Sequence, residues 1–172
     1  VWIGDDCSTD KTQDELHKLE KKCPSNYHFI YRPKNIHPNN SFDLIRKSNS
    51  KYIIMLEGDD YWIDNYKLQK QYDFLENNPD FLAVYHDCKV VDSKSKDLDE
   101  IYPRCESDVY TYKDFLHRNL PGQTATCMYR RELFELEQEF IHKYKLYDSF
   151  PGDRRKAFIL LTCGMTKILP EK

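Results

Sequence analysis

Residues 52–62 read YIIMLEGDDYW, an apolar run that ends in three carboxylates, Glu57, Asp59 and Asp60. The run has the make-up of a buried strand, and like charges crowded at its end repel one another unless a counter-ion joins them. The chain opens on the same form: VWIGDDCSTD at residues 1–10, an apolar run closed by Asp5 and Asp6. Open α/β sheets hold their ligands just beyond the carboxyl ends of strands. Both acidic ends are therefore candidate corners of a site.

Working outward, helical and strand patterns alternate along the chain, which predicts an α/β fold. Strands are expected at 1–4, 27–31, 51–56, 81–91, 124–130 and 165–169. The first helix is expected to run to about residue 22, with Ser8, Thr9 and Asp10 as N-cap candidates and Leu16, Leu19 and Cys23 inward. A second, at 40–50, would turn Phe42 and Ile45 inward. In the third, from residue 67, Leu68, Tyr72 and Leu75 have the spacing of a buried stripe, and Pro79 ends it. Further helices are expected at 111–119, at 131–144 and from 152, the last with Gly164 as its C-cap. Residues 92–110 are polar and patternless, which predicts a weakly packed, mobile loop able to close over a ligand.

Bulk properties exclude several classes. At 172 residues the chain suits one domain with a real core. It holds no apolar run of bilayer length, and its net charge of −3 argues against a nucleic-acid partner. Six cysteines are scattered without a C-x-x-C pair, so reduced thiols in an intracellular protein are expected. No secretory leader is expected. Val1 lies inside an apparent strand, and the chain is expected to be part of a longer protein.

The acidic run after the third strand has a definite chemistry. Glu57 and Asp59 alternate, so both can face one crevice, and Asp60 follows at the turn. The donors are oxygens only, which points to a hard divalent cation, Mg²⁺ or Mn²⁺, rather than zinc. The plainer alternative is a solvated acidic turn. The apolar strand before it and Tyr61-Trp62 after it weigh against that alternative.

Four blocks, VWIGDDCSTDKT, YIIMLEGDDYWIDNYKLQKQYDFLENNPDF, TATCMYRREL and GDRRKAFILLTCGMTKIL, resemble in this order the signature blocks of family 2 glycosyltransferases. The central block is similar to bacterial members carrying EGDDYW. The resemblance implies a GT-A nucleotide-sugar-binding fold, a mixed, mostly parallel sheet flanked by helices, with a first central strand missing upstream of Val1. It implies one domain over 1–172, truncated at both ends, with a nucleotide-sugar and metal half at 1–91 and an acceptor-side half at 92–172. The implied activity is inverting, metal-dependent transfer, of hexosyltransferase type, from a nucleoside diphosphate sugar (a UDP-sugar favoured) to a carbohydrate or lipid-linked acceptor. The implied setting is polysaccharide or glycolipid synthesis in the cytoplasm, with peripheral contact at the inner membrane face.

Carried over residue by residue, Asp5, Asp6 and Ser8 would contact the nucleotide. EGD would be this chain's D-x-D motif, with Glu57 in place of the first Asp. Asp59 would be the main ligand of Mn²⁺ or Mg²⁺, Glu57 a second ligand or a ribose contact, and Asp60 a support at the same corner. Asp153 falls where the family places the general base, and Gln123, Thr124 and Trp62 on the acceptor side. An Asp at a helix start is also a common N-cap, the plain alternative for Asp153. Two alternatives of other classes are a catalytically inactive nucleotide-binding or interaction module of this fold, and a sugar-phosphate nucleotidyltransferase. The latter needs a basic glycine-rich phosphate loop where this chain has the acidic GDDCSTD.

Overall fold

The computed structural model describes residues 1–37, 39–102, 105–117, 119–144 and 152–170. They form two compact units, Val1–Ser50 and Lys51–Lys172. The packing boundary therefore falls earlier than the 91/92 division drawn from the sequence between nucleotide and acceptor halves.

The first unit is a β-α-β-α run: β1 (Trp2–Asp5), α1 (Thr12–Glu20), β2 (His28–Tyr31) and α2 (Asn39–Lys47). β1 and β2 pair in parallel, Trp2 opposite His28 and Asp5 opposite Tyr31. Parallel pairing needs a crossover, and α1 supplies it. Arg32 beyond β2 ties α2 down through an ion pair with Asp43 and a 3.1 Å bond to Asn40. Asn40 in turn donates to the Gly4 carbonyl at 3.1 Å. Ile45 is buried and Phe42 half-buried, as their spacing predicts. α1 departs from expectation. It begins only at Thr12, whose N–H is received by Asp10 at 2.9 Å; Leu19 is exposed, and no residue of the helix is buried.

The second unit is built on a four-stranded sheet in the order β3 (Tyr52–Ile54), β7 (Met128–Arg130), β4 (Phe81–His86), β8 (Met165–Leu169). β7 runs antiparallel to both neighbours and β4 pairs with β8 in parallel. Three of the four strands thus share a direction. α3 (Lys67–Asn77) packs on β4 and β7, α5 (Arg131–Tyr144) on β7, and α6 (Gly152–Cys163) on β4 and β8. Leu75, Val84 and Met128 form a core cluster, with Phe74, Phe81 and Leu169 packed against it. α5 and α6 are joined by a buried ion pair, Arg155 to Glu137 at 3.1 Å. A short helix, α4 (Tyr112–Leu116), is held by a capping box between Thr111 and Asp114.

Several elements differ from the sequence reading. Residues 81–91 are two strands: β4 stops at His86, and β5 (Lys89–Val91) leaves the sheet to form a hairpin with β6 (Asp97–Ile101). The turn is set by Asp92, whose carboxylate receives the N–H groups of Lys94 and Lys96, and by Ser95 in a left-handed conformation. Residues 93–100 are all exposed, so the hairpin carries no apolar alternation to read. Residues 124–130 begin as a 3-10 turn, Thr124–Thr126, before β7.

On α3 the expected stripe is rotated. Leu68 and Tyr72 are exposed, whereas Lys67, Gln71 and Leu75 are buried. The reason is a polar clamp: Gln71 donates to the Val84 carbonyl at 3.0 Å and to the Thr126 carbonyl at 2.7 Å, which turns it inward. Gly164 is not a left-handed cap, since no glycine has positive φ. Its role is close approach: a Cβ there would lie 2.5 Å from Leu82.

The end of the expected mobile loop is packed. Cys105 and Tyr110 are buried. Cys105 N–H donates to the Leu120 carbonyl at 2.9 Å, Tyr110 N–H to Thr166 at 3.0 Å, and the Tyr110 hydroxyl to Asn119 at 2.6 Å. Residues 103 and 104 of that stretch lie outside the described residues, as do Pro38, Arg118 of the expected 111–119 helix, and Pro151 before α6. Hydrogen exchange checks the division: the amides of Cys105 and Tyr110 are expected to be protected and those of residues 93–96 to exchange fast. Fast exchange at both would restore the picture of a wholly loose segment.

Candidate functional site

In the first unit the strand end Asp5-Asp6 is fixed by its own loop. Asp5 is buried, and its Oδ2 accepts from Ser8 N–H at 3.2 Å and from Gln13 Nε2 at 2.6 Å. Burial alone would raise its pKa, but these hydrogen bonds outweigh it and hold the carboxyl below its ordinary value. Among the described residues, Asp5 Oδ1 is buried without a hydrogen-bond partner. An orphaned carboxylate oxygen is costly and is an acceptor aimed at a missing donor. Asp6 Oδ1 instead receives the Ile36 N–H at 2.8 Å and ties the loop after β2 to β1. Cys7, between Asp6 and Ser8, has φ +67°, a strained value for a non-glycine residue. Ser8 thus serves Asp5 through its backbone.

In the second unit the acidic run leaves the carboxyl end of β3. The side-chain amide of Gln123, just before the 3-10 turn, bridges it, donating to Asp60 Oδ2 at 2.7 Å and Glu57 Oε2 at 3.3 Å. The sequence assigned Gln123 to the acceptor loop; the structure brings it to the acidic corner. Partial burial, then the charges of Asp60 and Asp59, raise the pKa of Glu57, and the Gln123 bond pulls the other way. Asp59 is exposed at the same turn.

Among the described residues, no three His, Cys, Asp or Glu side chains are gathered into a metal cage. A Mg²⁺ or Mn²⁺ held by one or two carboxylates plus ligand phosphates does not need one. The repulsion of Glu57 by Asp60 and Asp59 is what a divalent cation would relieve. Oxygen donors of this kind suit such an ion.

One cavity adjoins this corner, and a second shares Tyr102 with it. The larger, about 510 Å³, is walled by Asp59, Asp60, Trp62 and Gln123 on one side and by β5 on another. Lys67 and His86 also line it. Lys67 is only 4% exposed, yet its ammonium meets a neutral amide, Gln71 Oε1 at 2.7 Å, and the face of Trp62, 4.9 Å from the ring centroid. Burial lowers its pKa to about 8. The smaller cavity, about 30 Å³, gathers Asp153, Lys156, Thr124, Tyr85 and Tyr102. Tyr102 lines both cavities. Gly122 lets the loop lie close there, because a Cβ would meet the Tyr85 ring at 2.8 Å.

The structure thus brings Glu57, Asp59, Asp60, Trp62 and Gln123 together, and Thr124 with Asp153 beside them. Asp153 is exposed in the first turn of α6. Lys67, Gln71 and Tyr102 were not singled out from the sequence. The one available signal was the four-residue spacing of Lys67 and Gln71, which puts both on one helical face.

A parallel-leaning mixed sheet with helices packed on it and an acidic strand end opening into cavities is the GT-A fold. It is the fold of S. aureus TarS: the 1–349 structure superposes with a TM-score of 0.61 at 17% identity, over all of this chain and 49% of that one. The TarS complex with UDP gives 0.65 at 18% identity, over all of this chain and 48% of that one. Residues 1–136 match glycosyl transferase family 2, and the chain belongs to that family. Uncharacterized proteins of Mycobacterium bovis and Mycobacterium tuberculosis are each 31% identical over 133 residues, 77% of this chain. The chain spans 38% of the length of these curated relatives.

Proposed function

We propose that this domain carries out metal-dependent, inverting transfer of a sugar from a nucleoside diphosphate sugar to a hydroxyl acceptor. The observation that carries the reading is the bridged acidic corner: carboxylates of Glu57 and Asp60 held by one amide at a strand end, at the mouth of a cavity large enough for a sugar. TarS has been crystallised with UDP, which makes a UDP-sugar the favoured donor.

The chemistry assigns the parts. Negative charge builds on the diphosphate as the anomeric C–O bond breaks, and a divalent ion held by Asp59 and Glu57 would supply the neutralising charge. Asp60 and Gln123 hold the corner's shape. Asp5 offers its orphaned oxygen to a base N–H or a ribose hydroxyl, and Asp6, backed by Ser8's turn, keeps that loop in place. Asp153 accepts the proton of the attacking hydroxyl, with Thr124 and Trp62 as acceptor-side walls. The acceptor is a carbohydrate or a lipid-linked one, in cell-surface polysaccharide or glycolipid synthesis at the cytoplasmic face of a membrane. Among the described residues no helix is long and apolar enough to cross a membrane.

Calorimetry of UDP and GDP with and without Mn²⁺, beside a turnover screen of nucleotide sugars, tests the reading. Nucleotide binding that requires Mn²⁺, with turnover of one donor, is expected. Metal-dependent binding without any turnover would favour the inactive-module alternative, and equal affinity with and without metal would remove the metal corner.

A further inference from the structure

We propose that the larger cavity is an oxyanion-recognition subsite, in which Lys67 takes a carboxylate or phosphate group borne by the transferred sugar or the acceptor. The inference rests on the glycosyltransferase reading and adds the chemical class of what it handles.

A buried ammonium is costly unless a charge or a full set of acceptors surrounds it. Lys67 has neither among the described residues. One of its three N–H groups reaches Gln71 Oε1, and the Trp62 face covers one side. Both partners are fixed from behind. The Gln71 amide nitrogen is engaged by the Val84 and Thr126 carbonyls, which turns its oxygen toward Lys67. Trp62 Nε1 donates to the Ala125 carbonyl at 3.0 Å. The cation is therefore held in one place on the cavity wall with donors to spare.

The other two lysines of the cavity wall differ. Lys70 pairs with Asp64 at 2.9 Å and Lys89 with Asp97 at 2.8 Å. Lys67 alone of the three lacks a carboxylate within ion-pair distance among the described residues. The lining carries five aspartates, Asp59, Asp60, Asp64, Asp87 and Asp92, of which Asp64 is paired with Lys70, and Lys67 is its buried positive residue. A ligand with one oxyanion and several hydroxyls is oriented by that pattern; an uncharged sugar leaves Lys67 unmatched. Burial has already lowered the Lys67 pKa to about 8, so an anion beside it must raise that value again.

The test follows the Lys67 side chain by NMR in the intact chain labelled with ¹³C-lysine, the resonance being assigned by its loss in Lys67→Arg. D-glucuronate, glycerol 3-phosphate and uncharged methyl glucoside are titrated separately. At least one anion is expected to raise the Lys67 titration midpoint and to bind about tenfold or more tightly than methyl glucoside, with that preference lost in Lys67→Met. A response to glucuronate alone assigns the oxyanion to a sugar carboxylate. A response to glycerol 3-phosphate alone assigns it to a phosphate, and a response to both makes the subsite general for oxyanions. An unmoved midpoint with both anions overturns the proposal, as does an anion preference that survives in Lys67→Met. If Lys67→Met does not fold, the wild-type midpoint decides. UDP binding with Mn²⁺ is recorded on the same samples. Its failure counts against the glycosyltransferase reading while the Lys67 result stands apart from it.

Discussion

Asp153→Asn is expected to lower single-turnover transfer by about 10²–10⁴-fold, the range that general-base catalysis supplies. The carboxylate sits in the first turn of α6, where the helix's unpaired N–H groups favour negative charge, and it lines the small cavity with Thr124 and Lys156. Asparagine keeps the size and the hydrogen-bonding capacity for capping but cannot take a proton. Donor affinity should be almost unchanged, because the proton comes from the acceptor. The measurement is a donor-binding isotherm beside a single-turnover rate on the intact protein. Near-normal turnover would leave Asp153 as a first-turn carboxylate that suits the helix dipole.

Asp59→Ala is expected to weaken Mn²⁺-dependent nucleotide binding by about 10²-fold or more, since loss of even an outer partner of a metal site typically costs about 10–100-fold. The residue is exposed, and no described hydrogen bond or ion pair of the fold runs through its carboxylate, so the melting temperature should barely move. Binding without metal should be the same in both proteins, which separates loss of an ion from loss of shape. Glu57 sharpens the pH dependence of the wild type. Its pKa is raised, chiefly by burial and then by the Asp60 and Asp59 charges, so it begins to take up a proton at a higher pH than a free Glu. A proton there competes with the metal, and affinity should fall as pH drops through that raised value. Calorimetry of UDP at fixed Mn²⁺, from neutral pH downward, reads this. An unchanged affinity in Asp59→Ala would remove the ion from this corner.

What could be read from residues alone followed from how strongly each segment's pattern is tied to its surroundings. β3 and its acidic end were legible because a buried strand must be apolar, and charge at its end stands out against it. α2 was legible through Ile45, whose burial follows from local spacing. The buried face of α3 was not, because Gln71 is inward to answer two carbonyls from segments far along the chain. No helical period encodes that demand. The β5–β6 hairpin escaped for the opposite reason: both its faces meet water, so nothing forces an alternation on it. The place of Gln123 at the acidic corner was not legible, because its contact with Glu57 joins residues 66 apart in sequence.

That hairpin has a consequence for how such a protein can change over time. Residues Lys89 to Ser93 line the cavity, while the outer stretch, residues 94–100, is exposed. Substitution in the outer stretch meets little resistance from the core, since exposed positions away from special contacts rarely alter stability by more than about 0.5 kcal/mol. The opposite wall is bound to the sheet through Gln71 and the Trp62–Ala125 bond and has no such freedom. Drift in substrate preference should therefore accumulate on the hairpin side of the cavity, leaving the acidic corner and its amide bridge to be inherited intact.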